Sequence, residues 1–234
     1  MSPAPAKRPA RPAPGSSRRT TSSGPAASKA SPKASSKRLP IALIVGVALA
    51  IGLVAVIVIT MGSSKTTEVG TPTVTGTALP DFVELPADDP AIGLPIPEVT
   101  GKDFDGNAVS IARDGRPKLL IFVAHWCAVC RREVPAITAW LPTASLPENL
   151  DLVSISTGVD AGRENYPPSR WLERDGWTVP VIMDDAAGGV GAAYGLKFYP
   201  YFVFVDAQGN VALRLVGEES TATIAAAIAE IAGT

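Results

Sequence analysis

The apolar run Leu119-Leu120-Ile121-Phe122-Val123-Ala124 opens directly into Trp126-Cys127-Ala128-Val129-Cys130, and this junction constrains the fold more than any other stretch. It reads as a buried strand that turns at once into a helix. The two cysteines are the only ones in 234 residues. At a helix start, unpaired N–H groups and the helix dipole favour a thiolate on Cys127. Cys130, one turn on, is placed to attack a mixed disulfide formed by the first sulfur. The pair therefore points to thiol–disulfide exchange. A purely structural disulfide would close so short a loop that little chain entropy is removed. Zinc wants four ligands, and the chain offers no further cysteine and one histidine, His125. No metal site is expected.

Composition divides the chain into four parts. Residues 1–40 hold nine of the 21 basic residues and none of the 22 acids, in a Pro-, Ala- and Ser-rich setting with no apolar pattern. Such a segment cannot build a core and is expected to be disordered. The remainder carries 12 basic against 22 acidic residues, so the overall net charge of −1 hides a strong asymmetry. Residues 41–61 are an uncharged run of 21. At ~1.5 Å per residue that is about 31 Å of helix, enough to cross a bilayer. It exceeds the core of a signal peptide, and no A-x-A site follows it directly, so it reads as a retained anchor. The basic tail would stay in the cytoplasm and the C-terminal part would lie outside, where disulfides persist. The topology role accounts for the basic tail, and no nucleic acid is expected as a partner. Residues 62–91 are rich in Thr, Pro and Gly and read as an extracytoplasmic spacer. Residues 92–234 are long enough to bury one core.

Within that last part, strands are predicted near 118–124, 151–157, 179–183, 201–206 and 210–216. Helices are predicted near 128–141, 167–175, 187–194 and 219–232. This alternation predicts an α/β fold with a central mixed sheet flanked by helices. The short turn between the last two strands makes them an antiparallel hairpin. Glu133 falls one helical turn after Cys130 on the same face. A partly buried carboxylate there can take the proton of Cys130 when that sulfur must attack. Pro135 lies inside the same helix and removes one of its hydrogen bonds.

Three segments carry a family resemblance. The stretch from Phe122 through Trp126-Cys127-Ala128-Val129-Cys130-Arg131-Arg132-Glu133-Val134-Pro135 matches F-x-A-x-W-C-x-x-C-R-x-E-x-P. Tyr194-Gly195, Pro200, the strand after it and Asp206-Ala207-Gln208-Gly209 match Y-G-V-x-x-x-P followed by D-x-x-G. Ile96 to Ile111, with Gly106-Asn107 near its turn, looks like an N-terminal β-hairpin. Together they resemble the TlpA-type, membrane-anchored thioredoxin-like thiol–disulfide oxidoreductases of bacteria, over residues 92 to 234.

The resemblance implies a thioredoxin-like fold, with Pro200 as a cis-proline packed against the cysteine pair. It implies Cys127 as the attacking or attacked sulfur, Cys130 as the resolving one, and Glu133 as the proton handler. Trp126, Tyr199 and Pro200 would form the substrate wall, with the backbone of Tyr199 pairing to a substrate strand. No cofactor is implied. The implied partners are exported protein thiols or disulfides, apocytochrome c among them, and a membrane thiol-relay redox partner. The chain departs from the family at Ala128-Val129, which offers neither charge nor side-chain donor to the thiolate, and at Tyr199, where relatives often carry a smaller residue. His125 stands where the family usually has a small polar residue, and its cation is a possible modulator of the Cys127 thiolate.

Two other activities belong to related folds. A thiol peroxidase of the peroxiredoxin group would use P-x-x-x-T-x-x-C, which is absent here. A copper-binding or metallochaperone module would use C-x-x-x-C and a distant histidine, whereas here the spacing is one shorter and no histidine follows the pair.

Overall fold

Strand β4 (Lys118–Val123) has every residue buried, and its alternation defines the layers. Leu120 and Phe122 join one apolar cluster, while Leu119, Ile121 and Val123 join another. Successive side chains of a strand point to opposite faces, so an unbroken apolar run needs cover on both sides. The computed structural model describes residues 45–46, 48–52, 68–83 and 89–233. They fall in two units, Met1–Gly62 and Ser63–Thr234.

In the first unit, residues 45–46 and 48–52 are helical. Among the described residues no helix is long and apolar enough to cross a membrane. The basic tail over 1–40 and the rest of the span expected over 41–61 lie outside the described residues.

In the second unit, β4 is the middle of a five-stranded sheet. Strands β5 (Asp151–Ser156) and β6 (Val181–Met183) extend it in parallel on one side. Strands β7 (Tyr201–Val205) and β8 (Val211–Val216) extend it antiparallel on the other. Helices α1 (Cys130–Trp140), α2 (Pro168–Arg174) and α4 (Thr221–Ala232) bring Val134, Ile137, Trp171, Leu172, Ile224 and Ile228 to the cluster of Leu119 and Ile121. The opposite cluster is closed by Val190 of helix α3 (Gly189–Ala193), by Tyr194, and by the N-terminal part of the unit. This is the thioredoxin-like α/β fold with a mixed sheet, and the predicted helices and strands end within two residues of the observed ones.

Strands β1 (Thr73–Thr75), β2 (Glu98–Lys102) and β3 (Ala108–Ile111) form a separate antiparallel sheet. The β2–β3 hairpin turns where expected. The Asp103 carboxylate accepts the N–H groups of Asp105 and Asn107 at 2.9 and 2.8 Å, and Gly106 supplies a φ of 88°.

The spacer expected over 62–91 differs from the structure. Val74 of β1 sits opposite Val99, and the Gly70 N–H donates to the Asp184 carbonyl at 2.8 Å. The N–H groups of Leu79 and Phe82 reach the carbonyls of Ala193 and Gly195, and both side chains enter the core. Asp89 forms a buried ion pair with Arg214, whose guanidinium also donates to the carbonyls of Pro80 and Tyr194. Residues 68–83 and 89–91 thus belong to the folded unit. The approach is close enough that a side chain at Gly195, where φ is 70°, would collide with the Pro80 carbonyl. The composition of 62–91 concealed this, because its scattered apolar side chains, Leu79 and Phe82 among them, show no period of their own.

Candidate functional site

Cys127 lies in the turn between β4 and α1. Its N–H donates to the Ala124 carbonyl at 3.0 Å, and its carbonyl accepts the Arg131 N–H at 3.1 Å. No side chain caps α1 at Val129. The sulfur does this work: the Cys130 N–H donates to Cys127 Sγ at 3.2 Å. A negative sulfur there satisfies a helix-end donor and meets the positive end of the dipole.

Both cysteines are free thiols, and their surroundings drive them apart. The Cys127 thiol falls from 9.0 to about 6. Its hydrogen bond with the Cys130 thiol is the largest cause. Burial opposes the shift, and the N–H groups of Cys130 and Val129 and the charge of Arg131 add to it. Cys130 has no exposed surface. Burial, then the hydrogen bond to Cys127, pushes its thiol far up. One sulfur is thus ready as a nucleophile at neutral pH while the other keeps its proton.

Tyr199 joins Cys127 to the Trp126 ring. The Cys127 thiol donates to the Tyr199 carbonyl at 3.6 Å. The Tyr199–Pro200 peptide is cis, as the resemblance implied. The Trp126 and Tyr199 rings meet edge to face with centroids 5.6 Å apart, and the Trp126 Nε1–H donates to the Gly158 carbonyl at 2.6 Å. Phe198, one residue before Tyr199, is 53% exposed.

Glu133 is buried on α1. Burial is the main reason its carboxyl rises from 4.5 to about 7. A hydrogen bond from the Glu219 N–H works against the rise, and the charges of Glu218 and Glu219 support it. Its Oε1 has no hydrogen-bond partner. Among the described residues neither sulfur is hydrogen-bonded to it.

His125 is 1% exposed. Its Nε2 accepts the Asp160 N–H at 3.2 Å, and its Nδ1 lies 2.6 Å from the Glu164 carbonyl. These partners set the tautomer, with Nδ1 carrying the hydrogen. The Asn165 side chain donates to the His125 carbonyl at 3.2 Å. Both ring nitrogens are therefore engaged with the loop 158–165. His125 thus anchors that loop.

That loop was not singled out from the sequence. It brings Gly158, Arg163 and Glu164 to the site: the Arg163 guanidinium lies 4.3 Å from the Trp126 ring centroid, and Glu164 pairs with Arg131. Its glycine and polar residues signal a loop and nothing about where it lands. Among the described residues no group of three or more His, Cys, Asp or Glu is arranged to hold a metal.

Comparison with known proteins places these features in context. The family described as AhpC/TSA matches residues 92–214. The methylamine utilization protein MauD of Methylophilus methylotrophus is 26% identical over 125 residues, 52% of this chain and 54% of that protein. The thiol-disulfide oxidoreductase ResA of Bacillus anthracis is 22% identical over 130 residues, 55% of this chain and 72% of that one. The chain spans about half the length of the MauD proteins it matches. A solved thiol:disulfide interchange protein of the thioredoxin family from Chlorobium tepidum TLS superposes with a TM-score of 0.50 at 24% identity. It covers 58% of this chain and 94% of its own, a likeness of fold.

Proposed function

This chain belongs to the AhpC/TSA family, and from that premise we propose that it is a membrane-anchored, extracytoplasmic thiol–disulfide oxidoreductase that reduces disulfides of exported proteins. The observation that carries the reading is the polarised cysteine pair: Cys127 lowered to about 6 at the helix start, and Cys130 buried behind it with its proton held.

The chemistry follows from that difference. The Cys127 thiolate attacks one sulfur of a substrate disulfide, forming a mixed disulfide and expelling the other substrate sulfur, which takes up a proton. Cys130 then gives up its proton and attacks Cys127 Sγ. The Cys127–Cys130 disulfide forms, and the second substrate sulfur leaves and is protonated. Two electrons and two protons pass to the substrate. The sulfurs hold both electrons, so the reaction calls for no cofactor. Glu133, with its carboxyl near 7, takes the proton of Cys130 in the resolving step, through a small movement or a water.

A Cys127 thiol near 6 supports the reducing direction. Reducing thioredoxin has a nucleophile near ~7, while the strong oxidant DsbA has one near ~3.5. The uncharged run over 41–61 behind a basic tail supports the anchor and the outward placement. The polypeptide substrates are exported protein disulfides, apocytochrome c among them. A thiol-carrying membrane partner re-reduces the Cys127–Cys130 disulfide.

The test is the redox equilibrium of the full chain in dithiol and glutathione buffers, with thiols counted by alkylation and mass. A potential at or below about −230 mV supports the reductase. One near about −120 mV would make the chain an oxidant. A pair that never forms a disulfide overturns the redox reading altogether.

A further inference from the structure

The inference deepens the exchange reading above and rests on it. Arg131 and Arg132 follow the cysteine pair in the chain, and Arg163 stands over the Trp126 ring. Arg131 is engaged by Glu164 and Arg132 by Glu218. Arg163 has no carboxylate partner among the described residues. Its side chain is exposed, and its Cζ stands 4.3 Å from the centroid of the Trp126 ring. An aromatic face holds a guanidinium without occupying its N–H donors, which stay free for a carboxylate.

The position of this charge is fixed by the fold. Trp126 directly precedes the nucleophile, and its ring meets that of Tyr199, whose carbonyl accepts from the Cys127 thiol. Arg163 therefore stands over the side chain of the residue next to the nucleophile. The loop that carries it is bound to the two residues before the nucleophile at four points. These are Gly158 to the Trp126 indole, Asp160 and Glu164 to the His125 ring, and Asn165 to the His125 carbonyl. The Arg163 N–H itself donates to the Asp160 carbonyl at 3.1 Å. The other charges of the loop are accounted for. The Asp160 carboxylate accepts the Gly162 N–H at 2.8 Å, and Glu164 is neutralised by Arg131.

We propose that Arg163 is a specificity-determining residue, which selects polypeptide segments carrying Asp or Glu beside the reacting cysteine. The Trp126 face orients the guanidinium, the His125-anchored loop keeps it in place, and the substrate carboxylate completes the ion pair that Arg163 lacks in this chain.

Single-turnover reduction of disulfide-linked peptides by the pre-reduced full chain tests this. The peptides differ only in the residue beside the cysteine: Asp, Asn or Lys. The second-order rate constant for mixed-disulfide formation should fall in that order. The Asp peptide should exceed the Asn peptide by about fivefold, the size of a partly exposed ion pair, and the gap should narrow at high salt. In R163Q the ratio of Asp to Asn should fall to near one. In R163K part of it should remain. In R163E the order should invert, an outcome that a misfolded site does not produce. An Asp preference that survives in R163Q, or no order in the native chain, overturns the inference and leaves the exchange reading standing. No exchange with any peptide overturns both.

Discussion

Two sulfurs three positions apart differ because of what touches each. Cys127 takes a helix-end N–H and a thiol hydrogen bond, whereas Cys130 has no exposed surface. Alkylation of the reduced protein should therefore show a midpoint near pH 6, with the rate rising through that pH and levelling above it. In Cys130→Ala the largest cause is gone, and the midpoint should move up toward 9.0. An unchanged midpoint in that variant would assign the shift to the helix end alone. Glu133 has the opposite sign. Its carboxyl is raised from 4.5 to about 7, so the folded chain holds this proton more tightly than the unfolded one. Its contribution to stability is complete below pH 4.5 and is lost as pH rises through about 7. Glu133→Gln should flatten the pH dependence of the melting temperature across that window, gaining relative to the native chain at pH 8. A parallel pair of curves would refute the shift.

At the scale of elements, the site is where the end of one strand, the start of one helix and two loops meet. β4 and α1 deliver the cysteines, and the segment before β7 delivers Tyr199 and Pro200. The loop 158–165 is held by His125. His125→Ala removes the partners of two backbone groups, at about 1–3 kcal/mol for each one left buried. Amide exchange across 158–165 should speed up while that of β4 stays slow. Equal exchange in both proteins would show that the loop holds without its anchor. Helix α4, by contrast, carries its own ends: the Ser220 hydroxyl accepts the Thr223 N–H at 3.0 Å, and Gly233 closes it with a φ of 68°.

The whole molecule is larger than the family match over 92–214. Leu79 and Phe82 fill the core from outside that range, and Asp89 neutralises Arg214, a guanidinium with no exposed side-chain surface. A chain beginning at residue 92 would leave that charge buried without its partner, a loss of about 3–5 kcal/mol. Urea unfolding should place its midpoint well below that of the full chain. Matching midpoints would mean that the N-terminal segment only rests on the surface.

The strands and helices from β2 onward were legible because their signals are local. β4 carries the apolar run Leu119–Val123, α1 starts at a C-x-x-C pair, and the β2–β3 turn holds Gly106. The cysteines, Tyr199 and Pro200 were legible through the motifs around them. The loop contacts of His125 were not legible, since its ring partners lie 35 and 39 residues away. The folding of residues 68–83 and 89–91 was hidden for the same reason: Glu68 bonds to Ser169 across 101 residues, and Asp89 reaches Arg214 across 125. The sequence by itself thus determined the α/β order, the closeness of Cys127 and Cys130, and the alternation that requires two covered faces. Periodicity and helix-end chemistry act over a few neighbouring residues. Only the tertiary structure decided which loop stands over Trp126, which guanidinium rests on that ring without a carboxylate partner among the described residues, and which residues before 92 join the folded unit. Those outcomes depend on contacts between segments far apart in the chain, whose pairing no local pattern records.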